Sequence, residues 1–360
     1  MIQLRPSSSS IWTNCAAMPR FAASLPEEEP SDPAREGTCA AWVAEMVLIG
    51  QVNRAADMID LSHENGWLVD TEMAYHVQGY VDRLRSRGGR VIAEQFVRLN
   101  EMIGGTPDAV AVVDETGTLY GDDLKYGFSP VDPYRNTQVA IYLAAVLATL
   151  NTPINKIVIG IYQPRSMHPQ GIHRTWETTP EELLSFVEWI KARGNECQDP
   201  NSIATPGTHC EYCPAAGSCV ALTQSVYKAF SVLTETRQMQ LTGPQLAREL
   251  DFINQVEKML KARKNAIEAE TTERMKGGDY VPGYGLEPRL GPRKFSASPG
   301  EIAVATGINP YSEPKLCTPA ELERRGANKE VVQRMSTRPH IQPKLTRLGD
   351  NHYTRLFEGK

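Results

Sequence analysis

Residues 103–126 read Ile-Gly-Gly-Thr-Pro-Asp-Ala-Val-Ala-Val-Val-Asp-Glu-Thr-Gly-Thr-Leu-Tyr-Gly-Asp-Asp-Leu-Lys-Tyr. The β-branched run before Asp114-Glu115-Thr116-Gly117, a turn signal, and the Thr118-Leu119-Tyr120 that follows predict a β-hairpin. Side chains alternate faces with period two, so Asp123 and Lys125 point one way and Leu124 the other. With Asp108 on the first strand, two carboxylates and one ammonium converge, a compact site for a hard divalent cation and a phosphate. Mg²⁺ or Mn²⁺ suits such a site, because one or two carboxylates, waters and phosphate oxygens complete an octahedral shell. Water on such an ion loses its proton more readily, and Lys125 would stand beside it as a point charge.

Working outward, strands are expected at 91–99, 107–114, 118–125 and 156–162, and helices at 36–60, 67–84 and 134–150. Thr179-Pro180-Glu181-Glu182 is a capping-box start with proline in the first turn, opening a helix through Lys191. This alternation predicts the α/β class, with a central mixed sheet flanked by helices. On the helix at 134–150, Gln138 and Tyr142 lie one turn apart and share a face, where they could meet a phosphate or a base. Apolar residues at three- and four-residue steps from Pro244 to Lys276 predict a long amphipathic helix ended by Gly277-Gly278. A Gly/Pro-rich tail with a short helical piece near 318–335 follows. Three segments result: a Ser/Pro-rich, loosely structured lead-in at 1–35, a central domain at 36–225, and a mainly helical C-terminal extension at 226–360.

The 360 residues, 41% hydrophobic and 22% charged, describe an ordinary soluble globular chain. A formal net charge of −5 is not the footprint of a nucleic-acid binder, so positive charge would have to be confined to a groove. Arg83, Arg85, Arg87 and Arg90 form a local basic cluster, either a solvated face or a surface that follows a phosphate backbone. With no signal peptide and no membrane-spanning run, a cytoplasmic location and no membrane partner are expected. Seven cysteines, an odd count in a reducing compartment, argue against a disulfide framework. Cys210, Cys213 and Cys219 form a C-x2-C-x5-C loop that could wrap a metal or cluster. A fourth ligand must come from elsewhere. Cys15 is the first choice and Cys39 the runner-up, while Cys197 and Cys317 read as bystanders. Spacing alone does not choose iron–sulfur over Zn²⁺.

Taken together, Gly105-Thr106-Pro107-Asp108, Asp123-Leu124-Lys125 and Gln138-x-x-x-Tyr142 resemble the PD-(D/E)XK nuclease superfamily, within it the RecB-like branch. Glu94-Gln95 and Ile159-Gly160-Ile161-Tyr162-Gln163-Pro164-Arg165 look like the same pattern. The resemblance implies a restriction-endonuclease-like core, metal held by Asp108 and Asp123, hydrolysis assisted by Lys125, and DNA touched by Gln138 and Tyr142. Glu94 and Glu45 would be auxiliary metal ligands. The cysteine layout looks like the iron–sulfur members of that branch, of AddB type, implying a [4Fe–4S] cluster on Cys15, Cys210, Cys213 and Cys219. It further implies a Mg²⁺- or Mn²⁺-dependent DNA exonuclease acting on single strands or duplex ends in phage recombination, repair or replication. A phage recombination or single-strand-binding protein would be its partner. One departure stands out: where the branch carries a histidine on the first helix, after a Gly-Thr pair, this chain has Ala41 after Gly37-Thr38. A catalytically weakened DNA-binding module is therefore the alternative.

Overall fold

The computed structural model describes all residues except 26–29, 167, 234–240, 291–293, 296, 298, 309–310, 313–314, 317, 325–326, 338–339 and 348–360. Cys317 thus lies outside the described residues. The chain divides into two compact units, Met1–Thr205 and Pro206–Lys360. Five strands build the sheet of the first: β1 (Arg90–Ala93), β2 (Ala109–Val113), β3 (Thr118–Leu124), β4 (Lys156–Tyr162) and β5 (His173–Thr178). They lie side by side in chain order. The β1/β2, β2/β3 and β4/β5 pairs are antiparallel and β3/β4 is parallel. A parallel neighbour needs a crossover connection, and the helix after β3 supplies it. The expected α/β core is therefore present, a mixed sheet flanked by helices.

Helices α1 (Asp32–Leu48) and α2 (Thr71–Ser86) pack with Ala109, Leu124, Tyr126 and Tyr162 in one apolar cluster. Helix α3 (Thr137–Leu147) covers the face that carries Gly121. A Cβ at Gly121 would come within 2.8 Å of both Leu143 Cδ2 and Val139 Cγ1, so glycine is what lets this helix approach the strand. Gly121→Ala is expected to lower unfolding stability by about 1–3 kcal/mol through overpacking, read from urea midpoints. Polar side chains start the helices. Asp70 Oδ1 accepts from Met73 N (2.7 Å), Asn136 Oδ1 from Val139 N (3.2 Å) and Thr179 Oγ1 from Glu182 N (3.2 Å), each satisfying an otherwise orphaned donor. The last of these opens α4 (Pro180–Glu196).

Three expectations fail in this unit. The helix expected at 36–60 ends at Leu48, and only a 3₁₀ turn at Ala55–Met58 follows it. The lead-in around Cys15 is packed rather than loose. Ile11, Trp12, Cys15, Ala17 and Met18 are buried, and Ser9 Oγ lies 2.7 Å from Thr137 Oγ1. Arg193 Nε donates to Thr13 O at 2.7 Å. Composition pointed to disorder, but a few large apolar residues on a short segment suffice when a helix pair offers them a groove. The strand expected at 91–99 is broken after Ala93, where Glu94 takes a left-handed φ of 49°. Strand β5 was not anticipated.

In the second unit, α5 (Val220–Leu233) precedes α6 (Gly243–Lys276), which begins with Thr242 N donating to Gln245 Oε1 (2.9 Å) and ends at Gly277-Gly278 as expected. The tail beyond it is more regular than its glycines and prolines suggested. Tyr284–Leu290 pairs antiparallel with His340–Arg347, and Ile302, Leu322, Ala327 and Val332 form a small core.

Candidate active site

The hairpin delivers its acids to one place. Asp108 sits just ahead of β2, and its Oδ2 accepts a 2.7 Å hydrogen bond from the Leu124 amide at the end of β3. That bond fastens the two strands at the point where their carboxylates meet. Asp123 is 3% exposed, and its Oδ2 lies 2.7 Å from Lys125 Nζ. The ammonium thus pairs with the carboxylate directly. Lys125 Nζ also donates to Gln138 Oε1 on α3 at 3.1 Å, and Gln138 is hydrogen-bonded to Tyr142 one turn on. Tyr142 itself is buried.

Electrostatics tie the remaining acids to this centre. Burial, followed by the charge of Asp123, pushes the Asp108 carboxyl up to about 7, against the opposing pull of Lys125. Glu94 is also pushed up to about 7, by burial and then by Glu45. Glu94 acts in turn on Asp108, so Glu45, Glu94, Asp108 and Asp123 form a chain of mutually repelling carboxylates. Burial disfavours the Lys125 ammonium, but Asp123 and Asp108 outweigh it and raise its pKa. Lysine is therefore a fixed positive charge here and not a proton acceptor.

This arrangement fits a hard divalent cation. Among the described residues no three His, Cys, Asp or Glu side chains enclose a metal on their own. Two adjoining carboxylates match an ion that keeps much of its shell as water and phosphate oxygen. The left-handed backbone at Glu94 stores strain beside the same acids, as functional sites often do. Ala41 lies one turn before Glu45 on α1, so Glu45 is the acid that this helix presents toward the group.

Behind Asp123, facing the α1/α2 layer, lies a set that sequence reading missed. Asp122, 4% exposed, receives both guanidinium nitrogens of Arg87, Nη1 on Oδ2 and Nη2 on Oδ1 (2.9 Å). His173 Nε2 stands 2.9 Å from Asp122 Oδ1, and Tyr80 Oη donates to the Asp122 carbonyl at 2.9 Å. Burial first, then Arg83, Arg87 and Arg174, hold the imidazole well below its usual pKa, the charge of Asp122 being already claimed by Arg87. Arg87, part of the basic cluster expected on a solvated or phosphate-tracking face, is instead a largely covered counter-ion to Asp122. One signal was available: period two sends Asp122 into the apolar layer, where a carboxylate needs a partner.

The cysteines sit in separate settings. Cys15 is buried in the first unit, as are Cys39 and Cys197. In the second, Cys210, Cys213 and Cys219 share an apolar cluster with Leu222, Met259 and Ala262. Gly207 N donates to Cys210 Sγ and Leu222 N to Cys219 Sγ, both at 3.4 Å, the kind of amide contact that steadies thiolate charge. No helix among the described residues is long and apolar enough to cross a membrane.

Comparison with known proteins gives a family match over residues 2–352, to the family described as "Protein of unknown function (DUF2800)". No curated protein matches the chain. Among solved structures, a candidate exonuclease from Eubacterium rectale is similar over 67% of this chain and 91% of that one, at 9% identity and a TM-score of 0.33.

Proposed function

The chain belongs to the DUF2800 family, and from its site we propose that it is a metal-dependent nuclease that hydrolyses phosphodiester bonds in DNA. One observation carries this reading: Asp108, Asp123 and Lys125 converge at the end of one hairpin, two buried carboxylates beside one ammonium. Asp108 and Asp123 would hold Mg²⁺ or Mn²⁺, with Glu94 and Glu45 as the nearest further acids. Such an ion supplies an acidified water and offsets charge on the scissile phosphate. Lys125, kept protonated by its acid neighbours and aimed by Gln138, draws a phosphate oxygen into the site. Exonucleolytic action, service to phage recombination, repair or replication, and a single-strand-binding partner are finer parts of the proposal that rest on the sequence resemblance.

The test is degradation of 5′- and 3′-labelled DNA with Mn²⁺, which reads activity and direction together. Retained DNA binding with no cutting in any metal would favour the weakened-module alternative, for which Ala41 in the histidine position is the specific support. A pH dependence follows from the acids. Asp108 and Glu94 hold protons up to about pH 7, and an incoming cation must displace them. Half-saturation by Mn²⁺ should therefore need roughly tenfold more metal at pH 6 than at pH 8 for each proton displaced, about a hundredfold if both acids bind. A flat profile in a metal titration would remove these acids from the ligand set.

From the sequence resemblance alone, we propose that Cys210, Cys213 and Cys219 hold a [4Fe–4S] cluster, with Zn²⁺ as the alternative. Metal analysis of purified chain decides it. Iron with visible absorbance, lost in Cys213→Ser, is the expected result; zinc without colour selects the alternative.

A further inference from the structure

Lys125 and Gln138 bond to each other, so residues 126–136 form a loop closed at the candidate active site. The loop is held firmly. Buried Gln163 donates to Gly127 O (2.8 Å) and Ser129 O (2.7 Å) and accepts from Val131 N (3.1 Å), while Arg174 donates to Val131 O (3.0 Å). What it displays is unusual for a loop in water. Tyr134 is 61% exposed, with its ring 5.2 Å from that of Trp176 on β5. Arg135 is also exposed and sits at a left-handed φ of 47°, a strained setting for a residue of this size. Its guanidinium lies 5.9 Å from the Tyr134 ring and 5.5 Å from the Phe186 ring on α4. Phe186 stacks nearly parallel on Trp189, which is 44% exposed.

Among the described residues the Arg135 side chain has no hydrogen bond or ion pair, so the cation is spent on aromatic rings alone. Acids of the same segments are occupied. Asp132 Oδ1 accepts from Tyr134 N (2.8 Å), Glu182 from Thr178 (2.6 Å), and Glu177 pairs with Lys156 (2.7 Å). Rings that stack on any base, interleaved with an uncommitted guanidinium for the phosphate chain, match an unpaired nucleic-acid strand better than a protein partner. A duplex hides its base faces and could use only the charge.

We propose that Tyr134, Arg135, Trp176, Phe186 and Trp189 form a stacking platform that binds single-stranded nucleic acid and leads it toward the candidate active site at Lys125 and Gln138. This deepens the nuclease reading above, on which its purpose rests, by naming the form of the substrate. The platform binds without catalysis, so the two ideas can be tested apart.

The experiment uses the full chain in metal-free buffer with a labelled oligo-dT, followed by anisotropy and tryptophan fluorescence, and a duplex of equal length for comparison. Oligo-dT should quench tryptophan emission and bind more tightly than the duplex. Tyr134→Ala and Arg135→Ala should each weaken binding by roughly 5- to 100-fold, and Tyr134→Phe should retain most of it. Both sites are exposed, so the fold tolerates these changes; Trp189→Ala serves as an independent third variant. Wild-type binding that these variants leave unchanged overturns the platform and leaves the nuclease reading intact. Platform-dependent binding by a chain that never cuts DNA keeps the platform and sinks the nuclease reading. A wild-type chain that ignores oligo-dT also overturns the platform and assigns these rings to a protein partner.

Discussion

Asp108→Asn is expected to lower metal-dependent DNA degradation by on the order of 10³-fold and, at the same time, to make the protein more stable at pH 8. The two effects share one cause. In the folded chain the Asp108 carboxyl is raised to about 7 by burial and by Asp123, whereas unfolded it ionises near 3.8. Between those values the unfolded state has lost its proton and the folded state has not. Stability contributed by the protonated form is therefore full below about pH 3.8, declines as pH rises, and is gone above about 7. Asparagine never ionises and can still accept from the Leu124 amide, so it avoids that penalty. Its advantage at pH 8 should be on the order of a few kcal/mol and should vanish near pH 4. Urea midpoints at the two pH values, with and without Mn²⁺, check the idea. Added metal should stabilise the wild type and leave the variant unmoved. A variant that is less stable at pH 8, or that still degrades DNA, would remove Asp108 from the centre of the site.

The second large effect belongs to the pair behind it. Removing one partner of a buried, bidentate ion pair strands the other charge in an apolar layer, which costs about 3–5 kcal/mol. Arg87→Ala and Asp122→Ala should each lose that much, because Asp122 is buried and Arg87 largely so. The double change Arg87→Met with Asp122→Leu should recover a good part of the loss, since neither charge is then left alone. Chemical denaturation of the four proteins forms a cycle that decides this. Two single variants within 1 kcal/mol of wild type would show that the pair is solvated. Because Asp122 and Asp123 are consecutive on β3, this anchor also holds the strand that presents the candidate metal ligand.

Much of this was legible along the chain. The hairpin, the alternation that puts Asp123 and Lys125 on one face, the cap at Thr179 and the glycine stop after α6 all follow from neighbours a few residues apart. Local rules suffice there because the groups that decide the geometry are local. Composition misled where it stood in for packing. The Ser/Pro-rich first residues look unstructured, yet Trp12 and Met18 bury themselves and order the segment.

Fold class and the order of the acids were thus written in short-range pattern. Long-range assembly alone chose the partners of those acids. Arg87 reaches Asp122 across 35 residues, His173 reaches the same acid across 51, and no periodicity encodes a distance of that kind. The same holds for Glu45 and Glu94, remote in sequence but coupled in space. A buried charge must find its counter-charge wherever the layers bring one, and which residue that is depends on how helices settle on the sheet.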